Sequence, residues 1–337
     1  ENIKVFGPNK KVSQLEGSKI FTKKICEKYN IPTAQFGVFK TDIEAYKYLE
    51  NANMPIVVKA DGIAAGKGVY ICEDLESSQK AVEEIFNGKF GLAEQVLIEE
   101  FLQGDEMSYF VLSDGKIFKR FNTAQDHKRV GEGDKGKNTG GMGAYSPSGL
   151  INSALDKKII TEIVNPTFEA IKDMGENYKG FLYVGLMIKD NNPYLIEYNV
   201  RMGDPECQTI LPLLESDLLK LILSCCEGKL ENEKVVWKNK KSICIVLCSK
   251  GYPETYKKNI EIPNLEKIIN SDNDFIYHAG TELVNNKVYA TGGRVLNFIN
   301  ISDDLKKSRD TVIQKIQNLN WENGFFRKDI GFKIIDK

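Results

Sequence analysis

The sequence is poor in the residues that mark zinc sites, membrane spans and nucleic-acid binders. Its 337 residues include only two histidines, His127 and His278, so a three-histidine zinc site is excluded. The longest nearly unbroken apolar runs, 181–188 and 243–248, fall well short of the roughly 18 to 20 residues that cross a bilayer. Lysine and arginine total 46 against 47 for aspartate and glutamate, a formal charge of −1. Without a global basic field, the expected partners are small molecules rather than nucleic acids or membranes.

Cysteine is present, but in no disulfide or zinc pattern. The seven cysteines are odd in number, lie in apolar segments and form no CxxC pair. This distribution is typical of reduced, buried thiols and favours a cytoplasmic protein. Any bound metal is therefore expected to be a hard cation with oxygen ligands. The seven are Cys26, Cys72, Cys207, Cys225, Cys226, Cys244 and Cys248.

Length and composition predict a folded chain with more than one domain. Hydrophobic residues make up 42% and charged residues 28%, which is ordinary for a globular core. The charged segment 231–241 reads as a linker, so a boundary is expected near residue 235. The chain opens without methionine at residues 3–8, which look like the last strand of a segment that began earlier, and an N-terminal piece is expected to be missing.

Periodicity predicts an α/β (α+β) fold in which helices alternate with short β-branched strands. The polar, glycine-dense stretch 127–143 is predicted to be a long loop. Helices are expected at 18–29, from 41, and at 75–86, 153–173, 216–227 and 303–319, and strands at 35–39, 55–60, 69–72, 96–100, 109–112, 117–121, 181–189, 194–198, 243–248, 288–291 and 295–298.

A glycine-rich segment follows the strand that ends at Lys59. Its glycines and alanines offer bare backbone N–H groups between two strands, which predicts a loop that covers phosphates. It is not a Walker A loop, because three residues separate Gly62 from Gly66 and Gly68 stands where serine or threonine would bind magnesium. A glycine-rich hairpin with solvated lysines remains an alternative.

A second candidate lies at the end of the strand near residue 198. Alternation along this strand points Glu197, Asn199 and Arg201 to one face. A carboxylate and an amide oxygen two residues apart can hold Mg²⁺, and arginine can bind a phosphate with its planar fork. A strand with a polar outer face is the alternative.

Two further motifs lie at the start of the long loop. The string QDHKR at 125–129 is suited to a charged substrate, although a solvated loop is the alternative. The segment 131–136 matches GxGxxG, but it does not lie between a strand and a helix, so the dinucleotide-binding interpretation fails.

Taken in order, these strings resemble the phosphoribosylamine–glycine ligase (glycinamide ribonucleotide synthetase) family of ATP-grasp enzymes, from about Phe6 to Phe332. The string at 138–147 and the QDHKR string at 125–129 together distinguish this ligase from ATP-grasp enzymes at large. The matching strings are QLEGSK at 14–19, KADG at 59–62, GKG at 66–68, EEFL at 99–102, QDHKR at 125–129, NTGGMGAYSP at 138–147, EYNVRMGDPE at 197–206, HAGT at 278–281, TGGRV at 291–295 and RKDIG at 327–331.

The resemblance implies an ATP-grasp fold with a small inserted lid lobe, at about 38–104, and a C-terminal mixed, β-rich domain. The ATP-grasp domain would span 11–235 and the C-terminal domain 236–337. Residues 1–10 would be the remnant of an N-terminal α/β domain that is largely missing and that contributes to the acceptor site in the family.

The implied activity is ATP-dependent ligation of glycine to 5-phosphoribosylamine through glycyl phosphate. The products would be glycinamide ribonucleotide, ADP and phosphate, in de novo purine biosynthesis. ATP and Mg²⁺ or Mn²⁺ are the implied cofactors, and the enzyme would be a cytoplasmic monomer or weak oligomer. Two alternatives remain: an ATP-binding fragment without turnover, because the N-terminal domain is absent, and another ATP-grasp carboxylate–amine ligase.

The resemblance also implies roles for individual residues. Many ATP-grasp enzymes carry a second metal-binding glutamate where this chain has Gly185, an absence that the resembled ligase shares. The catalytic candidates are Arg201, Asp126, His127 and Lys59, and the metal ligands are Glu197 and Asn199. The nucleotide candidates are Lys19, Lys59, Gly66, Lys67, Gly68, Glu99, Glu100, Phe101, Leu102, Glu106, Thr123 and Glu197. The candidates for glycine and the acceptor are Asp126, Arg129, Thr139, Gly140, Gly141 and Asp204.

Overall fold

The fold is described from a computed structural model, over residues 3–62, 68–268 and 271–335. Most of the predicted helices and strands are present in it. The elements up to residue 149 are α1 (Gln14–Gly17), α2 (Lys19–Lys28), β1 (Phe36–Phe39), α3 (Asp42–Leu49), β2 (Ile56–Ala60), β3 (Val69–Cys72), α4 (Leu75–Phe86), β4 (Val96–Glu100), β5 (Asp105–Asp114), β6 (Phe118–Arg120), β7 (Gln125–Asp126), β8 (Arg129–Gly131), β9 (Lys135–Asn138) and β10 (Gly143–Ser146).

The second part of the chain continues the alternation. The predicted helix 153–173 is continuous but changes to a π-helix at Ile159–Val164. The elements after residue 149 are α5 (Ser153–Lys158), α6 (Asn165–Asp173), β11 (Lys179–Lys189), β12 (Asn192–Asn199), α7 (Glu206–Ile210), α8 (Leu218–Glu227), β13 (Lys241–Ser249), β14 (Ile260–Glu261), β15 (Asp274–His278), β16 (Thr281–Val284), β17 (Lys287–Ala290), β18 (Arg294–Ser302), α9 (Leu305–Asn318), β19 (Gly324–Phe325) and α10 (Phe332–Ile335).

Polar caps explain where several helices begin. The Ser18 hydroxyl accepts a hydrogen bond from Phe21 N at 3.0 Å and starts α2. Asp74 caps α4 by accepting from Ser77 N at 2.7 Å. Such caps satisfy backbone N–H groups that the first turn of a helix leaves without partners.

The chain packs into two compact units that do not follow the linear order of the sequence. Unit 1 comprises Glu1–Arg120, Leu150–Arg201 and Ile222–Glu231, and unit 2 comprises Phe121–Gly149, Met202–Leu221 and Asn232–Lys337. The expected domain boundary near residue 235 remains a prediction. Lys238 N donates to Leu213 O at 2.8 Å, so the segment expected to be a linker is packed within unit 2.

Unit 1 contains two antiparallel sheets. The first four-stranded sheet has the order β1–β4–β2–β3, and α3 and α4 pack beside it over a core that includes Leu49, Val58, Val82 and Ile98. The second four-stranded sheet has the order β12–β11–β5–β6, and its core is shared with the helices at 153–173. Apolar side chains of both sheets are buried, as a half-covered sheet requires.

A β-bulge in β12 decides which side chains face the core. Gly185 pairs with Glu197 while Leu186 pairs with Leu195, so Ile196 is an extra residue in β12. The extra residue shifts the alternation, and Tyr198 joins Leu195 in the buried core. Glu197 and Asn199 therefore lie on the opposite face.

Unit 2 is built on a sheet of order β15–β18–β13–β10–β7, with β19 also paired to β13. Helix α9 packs on β13 and β18 over a buried apolar core. A separate sheet has the order β14–β17–β16. The short strands β14, β15 and β16 were not predicted, because their exposed, mixed sequences carry little alternation.

The prediction of a long loop at 127–143 is wrong in its middle. Strands β8 and β9 form an antiparallel hairpin, in which Arg129 pairs with Asn138. Asp134 and Gly133 adopt positive φ angles of 54° and 67° and turn the chain. Because β9 is exposed throughout, no hydrophobic alternation marks it in the sequence. Among the described residues, no helix is both long and apolar enough to cross a bilayer.

Candidate active site

A cleft opens in unit 1, and many of the residues predicted to bind the nucleotide line it. Its charged and amide lining comes from α1, from α2, from the end of β4 and from the end of β12. These side chains are Glu16, Lys19, Lys23, Glu99, Glu197, Asn199 and Arg201.

Glu99 is buried between two lysines. Its Oε2 lies 2.7 Å from Lys59 Nζ, and its Oε1 lies 3.3 Å from Lys23 Nζ. All three side chains are less than 10% exposed. Oε1 receives no well-aligned hydrogen bond from the described residues, which leaves an acceptor at the cleft. A carboxylate buried at this depth requires such cationic partners.

Two lysines on one face of α2 approach the cleft. Lys19 Nζ donates to Ala60 O at 3.1 Å and to Gly62 O at 2.8 Å, at the entrance to the glycine-rich loop. Burial lowers the pKa of Lys19, and the charge of Glu197 partly opposes this shift. Lys23, one helical turn later, donates to Thr33 Oγ1 at 2.6 Å. Burial also lowers the pKa of Lys23.

Glu16 ties α1 to the end of β12. Its Oε2 accepts from Val200 N at 2.8 Å, and its Oε1 lies 3.0 Å from Arg201 Nη2. The Arg201 side chain is 57% exposed. Its planar guanidinium is of the kind that binds phosphate and carboxylate anions.

Glu197 and Asn199 line the same cleft, as the strand alternation predicts. Arg201 Nη2 lies 3.5 Å from Asn199 Oδ1. Gly185 faces Glu197 across the β11–β12 pair, and a Cβ there would lie 3.1 Å from Glu197 Cγ. Glycine therefore leaves space beside the carboxylate.

The donor set fits a divalent cation shared with phosphate oxygens. One carboxylate and one amide oxygen are hard ligands suited to Mg²⁺ or Mn²⁺, which usually complete their coordination with phosphates and water. Among the described residues, no cluster of three or more histidine, cysteine, aspartate or glutamate side chains could hold a metal alone. The two-residue site is consistent with a metal that arrives with a nucleotide.

The predicted hinge begins where β4 ends. The backbone of Glu99 is paired on both sides, with Phe36 of β1 and Val57 of β2. Glu100 N donates to Gln35 O at 2.9 Å, and Phe101 and Leu102 follow the strand. Glu106 lies near the start of β5. Of the predicted phosphate loop, Gly66 and Lys67 lie outside the described residues, and Gly68 lines the cleft.

In unit 2, His127 is buried and both of its ring nitrogens have partners. Gly331 N lies 2.9 Å from Nε2, and Asp134 Oδ1 lies 3.2 Å from Nδ1. The sequence predicted a catalytic role for His127, and that role remains untested. Asp126, its neighbour, lies on β7 opposite Ala144.

Acceptor candidates from two segments of unit 2 meet at Arg294. Its guanidinium forks onto Asp204, with Nη2–Oδ2 at 2.8 Å and Nη1–Oδ1 at 3.2 Å. Nη1 also donates to Gly140 O at 2.6 Å. Gly141 has a φ of +112°, and a Cβ there would lie 2.4 Å from Pro205 Cδ, so this close approach requires glycine.

The remaining candidates of unit 2 have local partners. Thr139 Oγ1 donates to Lys128 O at 2.9 Å, and Arg129 Nη1 donates to Gly136 O at 2.8 Å. Thr123, predicted to contact the nucleotide, is fully buried, and its hydroxyl accepts from Ser148 N at 3.0 Å.

Sequence reasoning missed Lys23, Arg294 and Arg327 as members of these clusters. Lys23 had a signal, because it lies four residues after Lys19 and therefore on the same helix face. For Arg294 and Arg327 the sequence carried no signal other than the family motifs at 291–295 and 327–331, because their partners are distant in sequence.

Comparisons with known proteins decide the family. The model for the "phosphoribosylglycinamide synthetase, ATP-grasp (A) domain" matches residues 17–207, and that for the C domain matches 242–333. The chain belongs to the phosphoribosylglycinamide synthetase family. A phosphoribosylamine–glycine ligase of Brucella melitensis is 42% identical over 338 residues, covering all of this chain and 79% of the relative. A chloroplastic relative of Arabidopsis thaliana is 44% identical, with 99% and 64% covered.

Solved structures agree with this membership. The phosphoribosylamine–glycine ligase of Thermotoga maritima has a TM-score of 0.88 and 35% identity, covering 97% of this chain and 81% of that one. A biotin carboxylase of Campylobacter jejuni, at 16% identity and a TM-score of 0.72, covers all of this chain and 74% of its own. At this low identity, the similarity to the biotin carboxylase shows only a shared fold. The family thus confirms the predicted ATP-grasp fold.

Proposed function

We propose that this chain is an ATP-dependent carboxylate–amine ligase that joins glycine to 5-phosphoribosylamine. The products are glycinamide ribonucleotide, ADP and phosphate, in purine biosynthesis. A carboxylate is a poor electrophile, so a glycine oxygen first attacks the γ-phosphorus and ADP leaves. The amine nitrogen of phosphoribosylamine then attacks the carbonyl carbon of glycyl phosphate, and inorganic phosphate leaves as the amide forms.

One observation carries the proposal: the cleft of unit 1 combines cations for phosphates with oxygen ligands for a metal. Lys19 and Arg201 supply the cations at its surface, and Glu197 and Asn199 supply the oxygens. Catalysis of phosphoryl transfer depends mainly on positioning and on neutralising charge, and this lining provides both.

We assign the nucleotide to this cleft. Lys19 and Lys59 would lie near the phosphates, with Lys59 held by Glu99, and Gly68 would border them. Phe101 and Leu102 would offer backbone to the adenine edge and Glu106 would contact the ribose. Glu197 and Asn199 would hold Mg²⁺ or Mn²⁺. When bound, such a cation neutralises phosphate charge.

We assign the binding of glycine and phosphoribosylamine to unit 2. The Arg294 cluster with Asp204, Gly140 and Gly141 presents polar backbone and carboxylate groups, together with Thr139 nearby. Asp126 and Arg129, on β7 and β8, complete the proposed acceptor and glycine pocket. The domain limits at 11–235 and 236–337, a lid lobe at about 38–104, a cytoplasmic location and a monomer or weak oligomer belong to the same proposal.

The test is ADP release by the 337-residue chain with Mg²⁺-ATP, omitting glycine and freshly generated phosphoribosylamine in turn. Release that requires both substrates supports the ligase. Release with another amine or carboxylate in their place would indicate a different ligase of the same fold. Nucleotide binding without release under any of these conditions would contradict the proposed turnover and leave an ATP-binding module.

A further inference from the structure

The base of the segment between His127 and Gly143 is closed by its own backbone. His127 N donates to Gly143 O at 2.8 Å, and Met142 N donates to His127 O at 2.9 Å. Thr139 N donates to Lys128 O at 2.8 Å. The segment therefore forms a closed structure with the β8–β9 hairpin at its far end, and Thr139, Gly140 and Gly141 lie on its returning arm.

The side chain of His127 has protein partners at both ring nitrogens. The exposed fraction of the residue is 3%. A backbone N–H can only donate, so Nε2, which lies 2.9 Å from Gly331 N, carries the lone pair. Nδ1 lies 3.2 Å from Asp134 Oδ1 and 3.4 Å from Arg327 Nη2. Both ring nitrogens therefore face protein partners, and neither is left for a substrate.

Arg327 continues this network from the C-terminal segment. It is 1% exposed and donates from Nη1 to Asp134 Oδ1 at 2.8 Å and to Arg129 O at 3.0 Å. Its Nε and Nη2 donate to the two oxygens of Asp329 at 2.8 and 2.7 Å. One buried guanidinium thus joins the hairpin turn, β8 and residues 327–331.

The charges within the network balance. Arg327 and Lys333, whose Nζ lies 3.1 Å from Asp134 Oδ2, face the carboxylates of Asp134 and Asp329. Asp329 Oδ2 also accepts from Gly133 N at 2.7 Å, which fixes the turn itself.

We propose that His127 and Arg327 are positioning residues for the binding of the amine acceptor and glycine, and that His127 does not act as a general base. They hold the segment 127–143, and with it Thr139, Gly140 and Gly141, in the geometry that binds substrate. This inference rests on the proposed function, because it assigns a task to the pocket proposed for unit 2.

The test compares H127N, R327M, R327K and wild type by steady-state ADP release, with each substrate varied in turn. Asparagine can still donate to Asp134 but has no acceptor near Gly331 N. We expect H127N and R327M to raise KM for glycine or phosphoribosylamine by about tenfold, the effect of losing one or two hydrogen bonds. R327K should recover part of that loss, and KM for ATP should stay within about twofold of wild type, as expected for a separate site.

The value of kcat separates positioning from acid–base chemistry. A positioning role leaves kcat at saturating substrates within about fivefold in H127N, whereas loss of a general base lowers it by about 10² to 10⁴. A fall of that size, or unchanged KM values in a folded R327M, overturns the proposal. If R327M fails to fold, H127N, which leaves the Arg327 guanidinium in place, decides the question.

K328Q is the matched control, since Lys328 is exposed and adjacent to Arg327. It should show wild-type KM values. Binding of ADP, measured by calorimetry, verifies that each variant is folded. Failure of the proposed function would look different, because wild type itself would then release no ADP in response to the two substrates.

Discussion

Gly185 and Glu197 face each other across the β11–β12 pair, and the glycine places no side chain beside Glu197. A Cβ on Gly185 would lie 3.1 Å from Glu197 Cγ and 3.0 Å from Tyr183 Cε1. Contacts this short require neighbouring side chains to move. The absence of a side chain at this position is therefore coupled to the position of the proposed metal ligand.

Gly185→Ala should disturb metal-dependent nucleotide binding without unfolding the protein. The added methyl group displaces Glu197, so we expect the affinity for Mg²⁺-ADP to fall by about tenfold, which corresponds to about 1.4 kcal/mol. Calorimetry with and without Mg²⁺ measures this effect. Equal losses in both conditions would show that the methyl group perturbs the cleft and not the metal ligand.

Glu197→Gln should remove most turnover while leaving the fold intact. The substitution keeps the shape of the side chain but removes the charge that binds the cation, so ADP release with saturating substrates should fall by at least about 10²-fold. Glu169→Gln, an exposed site on α6, makes the same change of charge outside the cleft. Turnover of E197Q at the level of E169Q would refute the metal assignment.

Lys23→Met should lower stability through Glu99. Removing one cation from a buried ion pair costs about 3 kcal/mol, and Lys59 would remain as the single counter-ion of the carboxylate. Lys24→Met is the matched control, because Lys24 is the next residue and is exposed, and it should change the free energy of unfolding by less than about 0.5 kcal/mol. Urea unfolding measures both. Equal stability of the two variants would mean that Lys23 does not support Glu99.

The Asp134 network should make stability depend on acid pH. Burial acts to raise the pKa of Asp134, but hydrogen bonds from His127, Arg327 and Lys333 lower it well below its usual range. A carboxyl with a lowered folded pKa contributes stability above its unfolded pKa of about 3.9, and that contribution is lost as pH falls through the folded value.

Asp134→Asn should therefore be less stable than wild type at pH 7. The difference should shrink as pH falls from about 5 towards 2, because wild type then loses the same contribution. Thermal unfolding midpoints at several pH values measure it. A difference that stays constant across this range would place the loss in packing instead of in the charge of Asp134.

Local signals predicted most of the regular structure. Strands such as β2 and β4 are β-branched and buried, and α4 has both apolar periodicity and an N-terminal cap, so residue order alone defined them. The hairpin β8–β9 could not be found this way, because polar exposed strands carry no apolar alternation. The hairpin is also bonded to Arg327, which lies 198 residues from its partner Arg129.

The candidate site was predictable to the same extent. Strand alternation indicated Glu197, Asn199 and Arg201, and the family resemblance implied Lys19. The structure brings these side chains to one cleft. The sequence could not indicate that Glu99 binds Lys59 through its side chain, nor that His127 has partners at both nitrogens. Both facts depend on contacts between distant segments, and their functional roles stay predictions.

The hydrogen bond from Val200 to Glu16 joins residues that are 184 positions apart. Closing a loop of that length carries an entropic cost that nearby contacts do not, so this part of unit 1 should form late in folding. A chain still being synthesised at residue 190 already contains Lys19, Lys59 and Glu99 but lacks Glu197 and Arg201. If the proposed site is correct, nucleotide should stabilise only chains extended past the end of β12, and it would then act as a ligand for a late folding step.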